Sequence, residues 1–109
     1  MLDFFSIWDS LTTPEYPEEH PEGVLVIGSV SLQEHKLLID IFERSGEKLP
    51  FSYFQDTRLR STLVKRLADA HSKLLSHVVG DVERKVLSKY LEFVETAIKE
   101  ESGIITFCD

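Results

Sequence analysis

Apolar and polar positions along this chain follow different periods in successive segments, and the periods predict its elements. After Asp3, a residue suited to a helix N-cap, Phe4, Ile7, Trp8 and Leu11 recur at helical spacing until Pro14, so residues 3–12 read as a short amphipathic helix. Pro14, Pro17 and Pro21, interleaved with Glu15, Glu18, Glu19 and Glu22, predict an extended, solvated connector. Val24, Leu25, Val26 and Ile27, bracketed by Gly23 and Gly28, form a continuous apolar run that reads as a strand buried on both faces.

Ser31 with Glu34 three residues later is a capping-box pair, and Gly46 is a natural stop, which predicts a helix between them. Its apolar arc of Leu37, Leu38, Ile39, Ile41 and Phe42 is wide enough to require neighbours on two sides. Residues 48–54, with Pro50, Phe51, Tyr53 and Phe54, are expected to be an irregular aromatic piece that caps the core.

From Asp56 to Val79, the row Leu59, Leu63, Leu67, Ala70, Leu74 and Val78 predicts a second long helix. Gly80 and the N-cap candidate Asp81 open a third, with Val82, Val86, Tyr90, Phe93 and Ala97 in its first row, and the two are expected to pair as a hairpin. Gly103 is expected to end that helix, and Ile104 to Phe107 to form a terminal strand paired with Val24 to Ile27.

The expected fold class is therefore α+β and mostly helical, with three long helices and one short N-terminal helix on a small two- to three-stranded sheet formed by residues 24–28 and 104–108. The whole chain, 1–109, reads as a single domain, with an acidic N-terminal segment (1–22) and a globular core (23–109). At 42% hydrophobic it holds enough apolar material for a core without disulfides. Its single cysteine, Cys108, cannot form an intramolecular disulfide and reads as a small strand residue. The N-terminus lacks the basic flank of a secretory signal, and no apolar run approaches the roughly 20 residues that span a bilayer. A cytoplasmic location and no membrane contact are expected.

Charge changes the picture by its position. Residues 1–35 contain Asp3, Asp9, Glu15, Glu18, Glu19, Glu22 and Glu34 and no Lys or Arg, whereas residues 36–109 hold 12 acids and 12 bases. The whole net charge of −7 thus lies in the first third. Such a segment repels nucleic acid and attracts a basic partner.

The chain carries little that suggests catalysis. Its glycines are isolated and form no phosphate-cradling loop, and the lone cysteine has no histidine or carboxylate beside it at a zinc-ligand spacing, so no cofactor and no metal are expected. His35 and His71 lie at or near apolar helix arcs and read as core or boundary histidines, since neither has a serine or cysteine nucleophile in a recognisable motif. Arg58, Lys65, Arg66 and Lys73 form a basic stripe, interrupted by Asp69 and without interleaved aromatics, that reads as a solvated helix face; a more specific idea is that the acidic connector folds back on it when no partner is bound.

What remains is an acidic segment threaded with aromatics. Asp3, Trp8, Asp9, Glu15, Tyr16, Glu18, Glu19 and Glu22 are the candidate partner-binding residues, because aromatics anchor interfaces and carboxylates steer toward basic surfaces. In the alternative, Phe4 and Trp8 pack on the core and the acids simply face water.

Leu2-Asp3, then Ile7-Trp8-Asp9-Ser10-Leu11, an apolar strand, and a last helix running into Ile104 to Phe107 resemble the barstar family of acidic ribonuclease inhibitors and, more loosely, bacterial toxin immunity proteins. The resemblance implies a parallel sheet and a short helix whose aspartates plug a ribonuclease site. Trp8 and Asp9 are the residues that carry over. The expected function is an immunity protein or antitoxin, not an enzyme, that neutralises a basic toxin of the nuclease kind as a monomer. The alternative is a helical adaptor or regulatory subunit acting as a homodimer.

Overall fold

The computed structural model describes residues 1–13 and 22–108. In chain order they form β1 (Leu2–Ile7), β2 (Val24–Val30), α1 (Leu32–Ser45), β3 (Thr57–Leu59), α2 (Ser61–Asp69), α3 (His71–Leu75), α4 (Gly80–Lys99) and β4 (Gly103–Cys108). The four strands make one sheet in the order β2-β1-β4-β3, and every neighbouring pair is antiparallel.

This corrects the expected architecture. The fold is α+β, but helices account for 47% and strands for 22% of the described residues, so it is not mostly helical, and the sheet has four strands where two or three were expected. The N-terminal segment supplies a central strand in place of the short helix. Nor does β4 pair with β2, because β1 lies between them. The parallel sheet and short helix implied by the barstar resemblance are both absent from the described residues.

The reason lies in β1 itself. Phe4 and Ile7 fit a helical period, but Leu2 and Phe4 also alternate with Phe5 and Ile7, and as a central strand the segment buries both sets on opposite faces. A short isolated helix would bury only one stripe, so pairing with two neighbours wins over local period. The expectation of a two-face-buried strand thus suits β1 and fails for β2, whose Leu25 and Val26 are exposed.

The capping box of α1 is formed as expected. Ser31 Oγ accepts from the Glu34 amide at 3.2 Å, and Glu34 Oε1 accepts from the Ser31 amide at 3.0 Å. Gly46, at φ 80°, closes the helix.

The second long helix is interrupted. Residues 57–59 pair with β4, and the helical remainder breaks at Ala70 into α2 and α3. The hairpin of two long arms is therefore reduced to α4 packed against these shorter pieces and α1.

Gly103 is not the stop of α4. That helix closes through Glu101 at φ 53°, with the Glu101 amide donating to Ile98 O at 3.0 Å and the Ser102 amide to Ala97 O at 2.9 Å, a Schellman closure around a non-glycine residue. Gly103 is needed for another reason, since a Cβ there would lie 2.2 Å from the Leu59 carbonyl oxygen of β3.

The main core lies between one sheet face and the helices: Leu2, Phe4, Val30 and Ile104 meet Leu38, Ile41 and Phe42 of α1 and Leu87, Tyr90, Phe93 and Val94 of α4. Gly28 of β2 lets the Phe93 ring approach, since a Cβ would meet it at 2.7 Å. Phe5, Ile7, Val24, Ile105 and Phe107 form a second cluster on the opposite face, with Leu11 packed against it. Arg58, opposite Ile105, ties the chain after β1 to that face by donating to Leu11 O at 2.6 Å, Trp8 O at 3.2 Å and Thr13 Oγ1 at 2.9 Å. It therefore belongs to a strand and to this clamp, not to a basic stripe on a helix.

Candidate functional site

The end of β1 and the start of β2 are joined by a hydrogen bond from the Trp8 amide to Gly23 O at 3.0 Å. This contact sets the Trp8 indole against Gly23, where a Cβ would lie 2.6 Å from two ring atoms. Gly23 also has φ +91°, so both the approach and the backbone favour glycine. Trp8 is 42% exposed.

Trp8, Glu22, Leu25 and Glu100 line an open cleft of about 280 Å³, together with Ser6, Gly23, Val24 and Ser102. Two carboxylates and no cationic side chain border it. Along the same strand Leu25 is 49% and Val26 57% exposed. Among the described residues β2 pairs only with β1, so its outer edge continues this surface.

The candidate residues named from sequence are divided by the fold. Trp8 and Glu22 meet in the cleft. Asp9, next in sequence to Trp8, turns the other way: its Oδ1 accepts from the Ser61 amide at 2.9 Å, its Oδ2 from Ser61 Oγ at 2.5 Å, and its carbonyl from the Arg60 guanidinium. Arg60 at the N-cap of α2 makes no capping bond of its own, so Asp9 caps that helix from a distant part of the chain. The Ser61 hydroxyl, then its amide, Arg60 and Arg58, hold the Asp9 carboxyl below its ordinary value against the effect of burial.

Asp3 is half-buried within β1, in register with Ser29 and Phe107. Glu34, counted in the same acidic third, is bound by Ser31 and by Lys89 at 3.1 Å. Burial raises its pKa, but these partners outweigh it and leave it lowered. Glu15, Tyr16, Glu18 and Glu19, and the connector they define, lie outside the described residues.

Sequence reasoning passed over Leu25, Val26 and Glu100. The first two were assigned to a fully buried strand; the lack of a second partner strand for β2 could have exposed them only if β1 had been recognised. A second open region lies between α1 and residues 47–54. It is a groove of about 710 Å³ lined by Leu32, His35, Lys36, Ile39, Phe42, Glu43, Glu47, Lys48, Leu49, Phe51, Ser52, Tyr53 and Phe54. The aromatic piece therefore does more than cap the core: Phe51 is buried in it, while Phe54 is 77% exposed at the rim.

Among the described residues no group of three or more His, Cys, Asp or Glu side chains converges to hold a metal ion, and no helix is long and apolar enough to cross a membrane. Comparisons with protein-family models, curated proteins and solved structures find no match to this chain.

Proposed function

We propose that this protein is an immunity-protein-like inhibitor that binds a basic toxin, a nuclease foremost, through the acidic face around Trp8. The observation that carries the reading is the cleft itself: half-exposed Trp8 and exposed Leu25, bordered by Glu22 and Glu100 with no cation among its lining residues, with exposed Val26 next along the strand. Exposed aromatics and aliphatics supply contact area, and uncompensated carboxylates steer a cationic partner and imitate the phosphates a nuclease binds. The charge of the first 35 residues adds to the same field.

Among the described acids of that segment, Asp9 is engaged by α2 and Glu34 by the N-terminus of α1 and Lys89. The binding role therefore rests, among the described residues, on Trp8, Glu22, Leu25, Val26 and Glu100. The reading makes the protein a cytoplasmic monomeric binder that performs no chemistry of its own.

Its test is genetic. Each reading frame adjacent to this one is expressed alone and together with this chain. The proposal expects one neighbour to encode a basic protein that arrests growth alone and is neutralised by co-expression. Failure of the chain to relieve arrest by a basic neighbouring toxin, or the absence of any toxic neighbour, counts against it.

A further inference from the structure

The groove between α1 and residues 47–54 faces a different part of the molecule from the cleft at β2, and its chemistry is different. Its walls are Leu32 and Ile39 of α1 on one side and Leu49, Tyr53 and Phe54 on the other, above Phe42 and Phe51. The charges around it balance, with Lys36 and Lys48 against Glu43 and Glu47. Lys73 lies 3.7 Å from Glu47.

Among the polar residues of the lining, His35 is the buried one. His35 is only 5% exposed, lines the groove, and its ring rests 5.5 Å, centroid to centroid, from that of Tyr53. Its ring nitrogens make no hydrogen bond to any described residue, although its backbone amide is used by α1. Unlike Arg58 Nε and Tyr90 Oη, which are buried without a partner, these nitrogens are not sealed from solvent, so the open groove is where water or a ligand reaches them.

We propose that this groove binds a small, uncharged, mainly apolar molecule, aromatic or aliphatic, that carries one hydrogen-bonding group directed to His35. Three observations select this occupant. The volume falls within the range of about 300–1,000 Å³ typical of small-molecule sites. The balanced surrounding charges favour neither an anion nor a cation. The single unpartnered imidazole calls for one polar atom in an otherwise apolar ligand. Burial lowers the pKa of His35 and keeps the ring neutral, with one nitrogen as donor and the other as acceptor.

The test is a fluorescence titration of the full chain with N-phenyl-1-naphthylamine, an uncharged diaryl amine with a single N–H. The expected result is saturable binding of one dye per chain, with enhanced emission. Phe54→Ala, at an exposed rim position that cannot disturb the core, should weaken it severalfold, and Ile39→Glu should weaken it about tenfold or more. His35→Phe, which keeps the apolar volume and removes the polar contact, should weaken it by a factor of about three to ten, the worth of one hydrogen bond. Chemical-shift changes on dye addition should fall on α1 and residues 47–54.

No saturable binding would overturn the proposal. So would binding that all three substitutions leave unchanged, or that Trp8→Ala abolishes while they do not. Sedimentation showing a concentration-dependent dimer that excludes the dye would assign the groove to a second copy instead. Because the dye test needs no toxin partner, its failure leaves the inhibitor reading standing, and failure of the inhibitor test leaves the groove.

Discussion

The β2 edge and the α1 groove both leave large apolar side chains in water, but what surrounds those side chains differs. At β2, exposed Leu25 and Val26 lie along the strand beside an open cleft lined by Trp8, Leu25, Glu22 and Glu100, with no lining cation. In the groove, Ile39, Tyr53 and Phe54 form walls around a buried imidazole, and Lys and Glu are matched. An edge with one sign of charge is suited to a macromolecule whose own field is opposite, since long-range steering needs unbalanced charge. A concave, neutral site is suited to something small enough to be enclosed. Exposed apolar area alone would have assigned both surfaces the same role.

The largest effect that separates them should come from Trp8. Trp8→Ala is expected to cost at least about 2 kcal/mol of affinity for the proposed toxin partner, measured by calorimetry, while dye binding in the groove is unchanged. Loss of thermal stability with toxin affinity intact would instead make the indole a packing residue on Gly23.

Asp9 tests whether its neighbour Trp8 is the anchor by itself. Asp9→Ala removes the cap of α2 and should lower stability by about 1–2 kcal/mol in chemical denaturation. Toxin affinity should hold. A loss of affinity without a loss of stability would return Asp9 to the interface, where the sequence first placed it.

A smaller effect of opposite sign is expected at Glu101. Its αL backbone, φ 53°, is the conformation that glycine adopts without strain, so Glu101→Gly should stabilise the fold by about 1 kcal/mol. A melting-temperature increase checks it, and removal of this carboxylate from the neighbourhood of Glu100 should only slightly slow toxin association.

The groove brings the smallest and most specific signal. His35 has a folded pKa lowered by burial from its ordinary 6.5, so the unfolded chain takes up the proton more readily. Its neutral-state contribution is complete above that value and is lost as pH falls through it toward the folded pKa. Stability measured across this window should fall on acidification, and His35→Phe should flatten that part of the profile; an unchanged slope would show that other groups set it.

How far the sequence carried the account depends on whether an element's signals were local. The ends of α1 were legible because Ser31, Glu34 and Gly46 act on their own helix. β4 was legible as a strand because its apolar run follows a helix. β1 was misread because its apolar spacing satisfied two periods, and only β2 and β4 on either side decide between them. That error hid the rest: without β1, the edge position of β2 and the exposure of Leu25 could not be foreseen. The capping bond from Asp9 to Ser61 joins positions far apart in sequence, so no local pattern announces it. The groove needed a loop to fold over α1, which composition signals only as a cluster of aromatics.

The central claim is that the β2 edge acts through unbalanced negative charge as well as contact. Its most direct test is the association rate of the chain with the basic neighbouring toxin, measured at low and high ionic strength for the native protein and for the double variant Glu22→Lys, Glu100→Lys. The account predicts that the native rate falls by about tenfold or more as salt rises, and that the variant associates slowly at both. Equal rates for the two proteins, with the same salt dependence, would contradict it.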